Sequence, residues 1–305
     1  MNSTGVAALG ISLLLLLSDG MVMAEEEVWS PSWNLTVGGK GVYGSGVSEA
    51  NMYYMLFGEG SLDLEYLELS AKGSRYLGYQ VTDGLGTYDY VNIGEGSLRG
   101  SLKPWSFLSL GGEYRYAEGD SSYERRDWSC SLRLGPDDFY LEGEYGAGIT
   151  EYLFGASEIE IKRADTSLSL SRDVSDAVSM EIGYDRNELI FSSLDYEYTK
   201  QTLRLGAMFD VAGTVFILAG ISGGGDSEDY AIAGGDAGVV AVIYSHVKIS
   251  AVYLFEQYIA PSTSTSTGKG GGGTSGSANP FLSSDKIGES YSSHRFSVGA
   301  SISLN

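Results

Sequence analysis

The side chains of this sequence that could do chemistry are carboxylates placed at every second position. In the stretch DFYLEGEYGA, residues 138–147, Glu142 and Glu144 share one parity. Phe139 and Tyr145 share the opposite parity. Because successive side chains of a β-strand point to opposite faces, this segment has one acidic and one apolar face if it forms a strand. A row of carboxylates that borders water attracts and concentrates cations.

The same alternation places charged side chains on one parity along most of the sequence. These are the candidate functional residues: Asp63, Glu65, Glu113, Arg115, Asp127, Arg133, Glu142, Glu144, Glu160, Lys162, Glu181 and Arg204. Burying an unpaired ion in a protein core costs several kcal/mol, so we expect the charged parity to border water. The opposite, apolar parity then decides the class of protein, because it faces either a soluble core or lipid.

Two features could indicate catalysis, and neither has the context that catalysis needs. The stretch GISGG, residues 220–224, matches the G-x-S-x-G nucleophile pattern, which requires a strand, a sharp turn and a helix. No helical pattern follows it, so we predict a glycine-rich loop there. His246 and His294 are the only histidines, and we predict them at opposite ends of the strand array, where they could not share a site. We therefore predict no catalytic residue.

Residues that commonly hold metals and cofactors are scarce. The chain has one cysteine, Cys130, and two histidines. A single cysteine cannot form an internal disulfide framework or a cysteine-based zinc site, and covalent haem attachment is excluded by the same scarcity. We predict no cofactor and no metal site.

Composition and charge narrow the class of protein further. The 305 residues include 43 Gly and 22 Tyr but only 5 Pro, which favours an antiparallel β protein over a helical one. The formal net charge of -21 opposes binding to nucleic acid and to anionic lipid head groups. If the carboxylates surround a pore, the same charge favours cations.

The first 24 residues resemble a secretory signal peptide. Residues 6–17 form an apolar stretch, and Val22-Met23-Ala24 is a small-residue site before three glutamates. The apolar run is shorter than the ~18 residues that a spanning helix needs, so a membrane anchor is the weaker alternative. We expect residues 1–24 to be the signal peptide and residues 25–305 to form the functional domain.

From about residue 31 onwards the sequence divides into a series of alternating segments. They are 31–42, 49–57, 61–77, 88–102, 105–116, 123–134, 138–147, 158–171, 177–185, 193–210, 214–222, 230–244, 247–257 and 291–304. Most match the ~9–11 residues of a membrane-spanning strand, and several extend beyond it. The parity slips within 61–70, for which we predict a β-bulge, and 214–222 is apolar on both faces.

The connections between these segments alternate between short and long. The short ones are predicted at 58–60, 103–104, 135–137, 172–176, 211–213 and 245–246. The longer ones are predicted at 43–48, 78–87, 117–122, 148–157, 186–192, 223–229 and 258–290. Residues 258–290 are rich in Gly, Ser and Thr and should form a flexible loop. Short turns at one end and long loops at the other are typical of outer-membrane barrels, whose short turns are periplasmic.

In its signal peptide, strand number, alternating connections and polar parity, the chain resembles bacterial outer-membrane porins, in particular the compact fourteen-stranded monomeric type. The resemblance implies an all-β fold consisting of a single antiparallel transmembrane β-barrel of about 14 strands, within a range of about 12–16. It also implies location in the bacterial outer membrane and passive diffusion of ions or small polar solutes through the lumen. The excess of carboxylates then indicates a preference for cations.

Two other functions fit the same pattern. A barrel with an acidic lumen could be a structural sheath around a partner such as an electron-carrying cytochrome, and recovery of a stoichiometric haem protein from native membranes would favour it. An outer-membrane hydrolase would depend on His294, and replacement of that histidine tests this alternative. The expected partners are outer-membrane lipid, small polar solutes or cations, and a periplasmic or surface protein, but not nucleic acid.

Overall fold

The computed structural model describes residues 32–45, 50–64, 66–83, 86–120, 123–154, 157–192, 195–243, 246–260 and 290–304. The predicted signal peptide, residues 1–24, lies outside this part of the chain and stays a prediction. The strands are β1 (Ser32–Ser45), β2 (Ala50–Leu64), β3 (Leu67–Asp83), β4 (Gly86–Trp105), β5 (Leu108–Gly119), β6 (Glu124–Leu134), β7 (Phe139–Phe154), β8 (Ser157–Ser175), β9 (Val178–Phe191), β10 (Tyr196–Asp210), β11 (Val215–Asp226), β12 (Ala231–Ile243), β13 (Val247–Ile259) and β14 (Tyr291–Leu304). None of the described residues forms a helix long and apolar enough to cross a membrane.

The strands form one closed antiparallel barrel. Each strand pairs with its neighbours in sequence, and β1 pairs with β14, with Leu35 opposite Leu304 and Ser45 opposite His294. Closure pairs the backbone of every strand and leaves no free edge, as a membrane requires of a β structure. The predicted all-β fold, an antiparallel barrel of about 14 strands, is confirmed. We call the end where β1 begins and β14 finishes the terminal end, and the opposite end the loop end.

The outer surface of the barrel carries an apolar belt with aromatic side chains at both edges. On β1 the outward side chains run from Trp33 to Tyr43, which are 58% and 63% exposed. Ten strand residues that rise ~3.3 Å each, on a strand tilted by about 40°, span a height of about 25 Å. This is the height of the lipid-facing band of outer-membrane barrels, which is flanked by aromatic girdles. The apolar parity therefore faces lipid rather than a soluble core.

The first predicted short connection, at 58–60, is wrong. These residues lie inside β2, and the chain reverses later, where Leu64 pairs with Leu67. The parity slip that we interpreted as a β-bulge is therefore the reversal of the chain itself. Glycine suits a tight turn and also a strand that curves around a barrel, so the sequence GEG could not distinguish the two.

Several predicted long loops are largely strand. Residues 148–154 belong to β7 and pair with β8, which begins at Ser157. The predicted flexible loop also begins later than residue 258, because β13 continues to Ile259. Residues 261–289 lie outside the described part of the chain, so the flexibility of that segment stays a prediction. The loop-end hairpins extend beyond the belt, where both faces meet water and the apolar alternation fades.

Candidate functional site

The register between strands identifies the lumenal face of the barrel. Residues directly opposite each other in neighbouring strands point to the same side, and the outward side is marked by the exposed apolar belt. The predicted residues on the lumenal face are Asp63, Glu113, Arg115, Asp127, Arg133, Glu142, Glu144, Glu181 and Arg204. Glu65 lies outside the described residues. These nine residues place charge on the lumenal face of six strands, which are β2, β5, β6, β7, β9 and β10.

The prediction that Glu160 and Lys162 line the lumen is wrong. Both share the parity of the exposed, lipid-facing Leu168 and Leu170 and therefore lie on the outer surface of β8. Lys162 Nζ lies 3.2 Å from a carboxylate oxygen of Glu160. They stand beyond the belt at the loop end, where the outer surface also meets water and charged side chains are favourable on both parities.

Correcting this parity brings two unpredicted residues, Arg163 and Asp165, into the lumen. Asp127, only 7% exposed, lies 2.5 Å from Arg125 and 3.5 Å from Arg163. Arg163 also lies 2.8 Å from Asp165. We call Arg125, Asp127, Arg163 and Asp165 the arginine–aspartate network. Three of its members, Asp127, Arg163 and Asp165, line a cavity of about 180 Å³ in the lumenal wall, together with Glu144 and other polar side chains.

Gly148 leaves room for the Asp127 side chain of this network. Gly148 lies on the lumenal face opposite Asp127, and a Cβ built there would stand 2.0 Å from Asp127 Oδ1 and 2.9 Å from the backbone oxygen of Arg126. The backbone oxygen cannot move without disturbing the pairing of β6 and β7. The absence of a side chain at Gly148 is therefore a condition of the Asp127 position.

We expect Gly148→Ala to destabilise the barrel by about 1–3 kcal/mol, because the added methyl group overpacks this contact. Equilibrium unfolding in urea, followed by tryptophan fluorescence in lipid vesicles, measures the effect. Gly146→Ala is the matched control on the same strand and face, since its Cβ meets Ser129 and Trp128 at an ordinary 3.5 Å. An equal loss of stability in the two variants would contradict this role of Gly148.

A second lumenal cluster lies at the loop end. Lys200 Nζ is 2.7 Å from Glu256 Oε1 and donates to Tyr258 Oη at 3.0 Å. The ring of Tyr258 stacks on Tyr291 with centroids 4.5 Å apart. The ion pair joins β10 to β13 across two strands, and Gly234 of β12 leaves room beneath the Glu256 side chain. The charge of Lys200 is thereby paired with that of Glu256.

The glycine-serine stretch and the two histidines lie at separate places in the barrel. The stretch 220–224 lies in β11, so the predicted glycine-rich loop is wrong. A Cβ at Gly220 would stand 2.4 Å from Asp236 Oδ1, so this glycine leaves space for the Arg204–Asp236 ion pair of 3.2 Å. His246 lies at the terminal end, whereas His294 lies on the outer face at the loop end, with Nδ1 2.6 Å from Tyr253 Oη. Within the described residues, no group of three His, Cys, Asp or Glu side chains is arranged to hold a metal ion.

Known proteins share the fold of this chain, but no known family includes its sequence among those compared. No family model matches the chain, and no curated protein sequence matches it. The CymD monoaromatic hydrocarbon channel has a similar structure, with a TM-score of 0.58, 10% identity, and coverage of 100% of this chain and 94% of that one. A Pseudomonas aeruginosa FadL homologue has a TM-score of 0.51 and 11% identity, with 89% of this chain and 90% of that one covered.

The Pseudomonas putida toluene transporter TodX is a third similar structure, with a TM-score of 0.50 and 10% identity. The similarity covers 90% of this chain and 90% of TodX. Sequence identities this low establish shared architecture and nothing about bound solutes. The chain is therefore a closed fourteen-stranded antiparallel β-barrel that resembles the barrels of bacterial outer membranes.

Proposed function

We propose that this protein is a channel of the bacterial outer membrane through which ions and small polar solutes diffuse passively. One observation carries the proposal: within the height of the apolar belt, the charged side chains of the barrel point inward, and most of its apolar side chains point outward. All fourteen described strands belong to the wall, and no described element lies inside the lumen. Such an arrangement favours a hydrated path across a lipid-embedded wall.

The expected width of the lumen supports passage of small solutes. Fourteen strands spaced ~4.8 Å apart and tilted by about 40° enclose a cylinder about 28 Å across between backbones. Inward side chains reduce this to a central space on the order of 15 Å, which is intermediate between small filled barrels and larger porins. Hydrated ions and small polar molecules are narrower than this space.

We propose a weak preference for cations. Glu142 and Glu144 form no ion pair among the described residues, whereas Arg115 and Arg204 each pair with a carboxylate, at 2.8 and 3.2 Å. An unpaired carboxylate attracts a passing cation more strongly than a paired arginine attracts an anion. The preference should be weak because part of the acidic charge, including Glu160, lies on the outer surface. Salt screens that charge over a Debye length of ~8 Å at physiological ionic strength, so it has little effect on ions in much of the lumen.

The solved structures with a similar fold support a transport role. CymD is described as a monoaromatic hydrocarbon channel and TodX as a toluene transporter. This chain resembles both of them in architecture. Their solutes are not thereby the solutes of this chain, because the sequence identity is about 10% in each case.

A planar-bilayer recording in a KCl gradient tests the proposal. We expect stable conductance with about a threefold preference for K⁺ over Cl⁻, which corresponds to about 0.7 kcal/mol. The double variant Glu142→Gln/Glu144→Gln should roughly halve that preference and keep the conductance, because it removes two unpaired lumenal charges.

The matched control replaces two outer-surface glutamates that lie opposite each other, in the double variant Glu151→Gln/Glu160→Gln. We expect this variant to keep the wild-type reversal potential. Anion selectivity in the wild-type protein, or a folded barrel without conductance, would overturn the proposed function.

A further inference from the structure

The lumenal wall also has an apolar region, on the same strands that carry the Arg204–Asp236 and Lys200–Glu256 ion pairs. We call the inward side chains Met208, Phe216, Leu218, Val240, Val252 and Leu254 the lumenal apolar patch. They belong to β10–β13 and explain why the segment 214–222 is apolar on both faces in the sequence. The side chains of Val252 and Leu218 both lie close to Gly238, since a Cβ there would lie 3.1 and 3.5 Å from them. The patch therefore extends from β11 across β12 to β13.

Basic side chains border this patch on one side. Arg295 of β14 lies directly opposite Leu254, and Lys40 of β1 lies on the next strand of the wall. Both charged residues line one cavity with Val252 and Leu254, and its volume is about 330 Å³. We call it the Lys40 cavity. Lys40 has no carboxylate within 4.0 Å among the described residues, and Lys72 is a further positive charge near it.

The carboxylates of the Lys40 cavity lie towards its other side, where cations already hold them. Asp236 lies 3.2 Å from Arg204, and Glu256 lies 2.7 Å from Lys200. Asp185, on β9, also faces Arg204. On the side formed by β14 and β1, Lys40 consequently presents positive charge next to apolar surface. That combination matches a solute with an anionic group and an apolar body.

On the basis of the channel function above, we propose that the Lys40 cavity binds monocarboxylates that carry an aromatic or branched aliphatic group. The carboxylate lies between the Lys40 ammonium and the Arg295 guanidinium, and the apolar body packs on Val252 and Leu254. The cavity volume falls at the lower end of the ~300–1,000 Å³ that small-molecule sites occupy. Local anion binding is compatible with weak cation preference, because charges more than ~8 Å apart are largely screened.

Equilibrium dialysis of radiolabelled benzoate against the purified full-length barrel in detergent tests the site. We expect saturable binding to the wild-type protein and about tenfold weaker binding to Lys40→Gln. Lys40→Arg should keep most of the affinity, because the positive charge remains. Lys248→Gln is the matched control, since Lys248 is a lumenal lysine near the terminal end that does not line the cavity. Acetate and benzyl alcohol should compete at least tenfold more weakly than unlabelled benzoate.

The outcomes separate this proposal from the channel proposal. Equal competition by acetate and benzoate, or equal benzoate affinity in Lys40→Gln and Lys248→Gln, would overturn the monocarboxylate site. Bilayer conductance without saturable benzoate binding would overturn this site alone. Benzoate binding that depends on Lys40 in a barrel without conductance would support the site and overturn the channel function.

Discussion

Ile182→Arg is expected to destabilise the folded barrel by about 2–4 kcal/mol. Ile182 lies on the outer face of β9, is 58% exposed, and stands opposite Leu170 and Leu205, which are also exposed outward. It lies between Val178 at the terminal end and the charged outer residues that begin at Arg186, so it is near the middle of the belt. An arginine at the mid-plane of a lipid-facing surface carries a cost of this size.

Urea-induced unfolding in phospholipid vesicles measures this cost. Ser169→Arg is the control, because Ser169 lies on the lumenal face of the neighbouring strand, opposite Gly183, and an arginine there stays hydrated. We expect the control to remain within about 0.5 kcal/mol of the wild-type protein. If the two arginine variants lost equal stability, the assignment of the apolar parity to lipid would be wrong.

Asp127→Ala is expected to cost about 2–3 kcal/mol of unfolding free energy. Removing this carboxylate leaves Arg125 without its closest partner, whereas Arg163 keeps Asp165. Breaking a buried ion pair by deleting one member costs about 3–5 kcal/mol, and the expected value here is lower because the arginines can be partly rehydrated from the lumen. The same urea titration measures it.

Two further variants separate charge pairing from simple loss of a carboxylate. Glu144→Ala removes a lumenal carboxylate on the neighbouring β7 that has no ion pair among the described residues, so we expect a loss below about 1 kcal/mol. Arg125→Met in the Asp127→Ala background removes the unpaired charge and should recover part of the stability. A double variant less stable than Asp127→Ala would show that Arg125 stabilises the barrel independently of Asp127.

The alternation of polar and apolar residues was sufficient to predict the barrel. Side chains along a strand alternate between its two faces with a period of two residues. A single segment such as 138–147 therefore shows the alternation without any knowledge of the neighbouring strands. Glu142 and Glu144 lie on the lumenal face, and Phe139 and Tyr145 lie on the outer one, as that pattern predicts. The number of strands followed from the number of such segments.

The ends of the strands were less predictable. Where hairpins leave the belt, both faces meet water, and the sequence no longer distinguishes strand from loop, as in 148–154. The parity of Glu160 and Lys162 was misassigned for this reason, because charge marks the lumen only within the height of the membrane. Counting residues outward from the lipid-facing Leu168 and Leu170 would have placed both on the outer surface and Arg163 in the lumen.

The sequence by itself determined the closed β architecture, and for most strands it determined which face points to lipid and which points to the lumen. Both properties follow from a two-residue period and from the cost of placing ions in lipid. Only the tertiary structure decided which charges neutralise each other and where the lumen is apolar. Asp127 meets Arg163, and Lys200 meets Glu256, across strands whose positions in sequence do not reveal the contact. The juxtaposition of Lys40 with Leu254 likewise exists only because closure of the barrel brings β1 against β14.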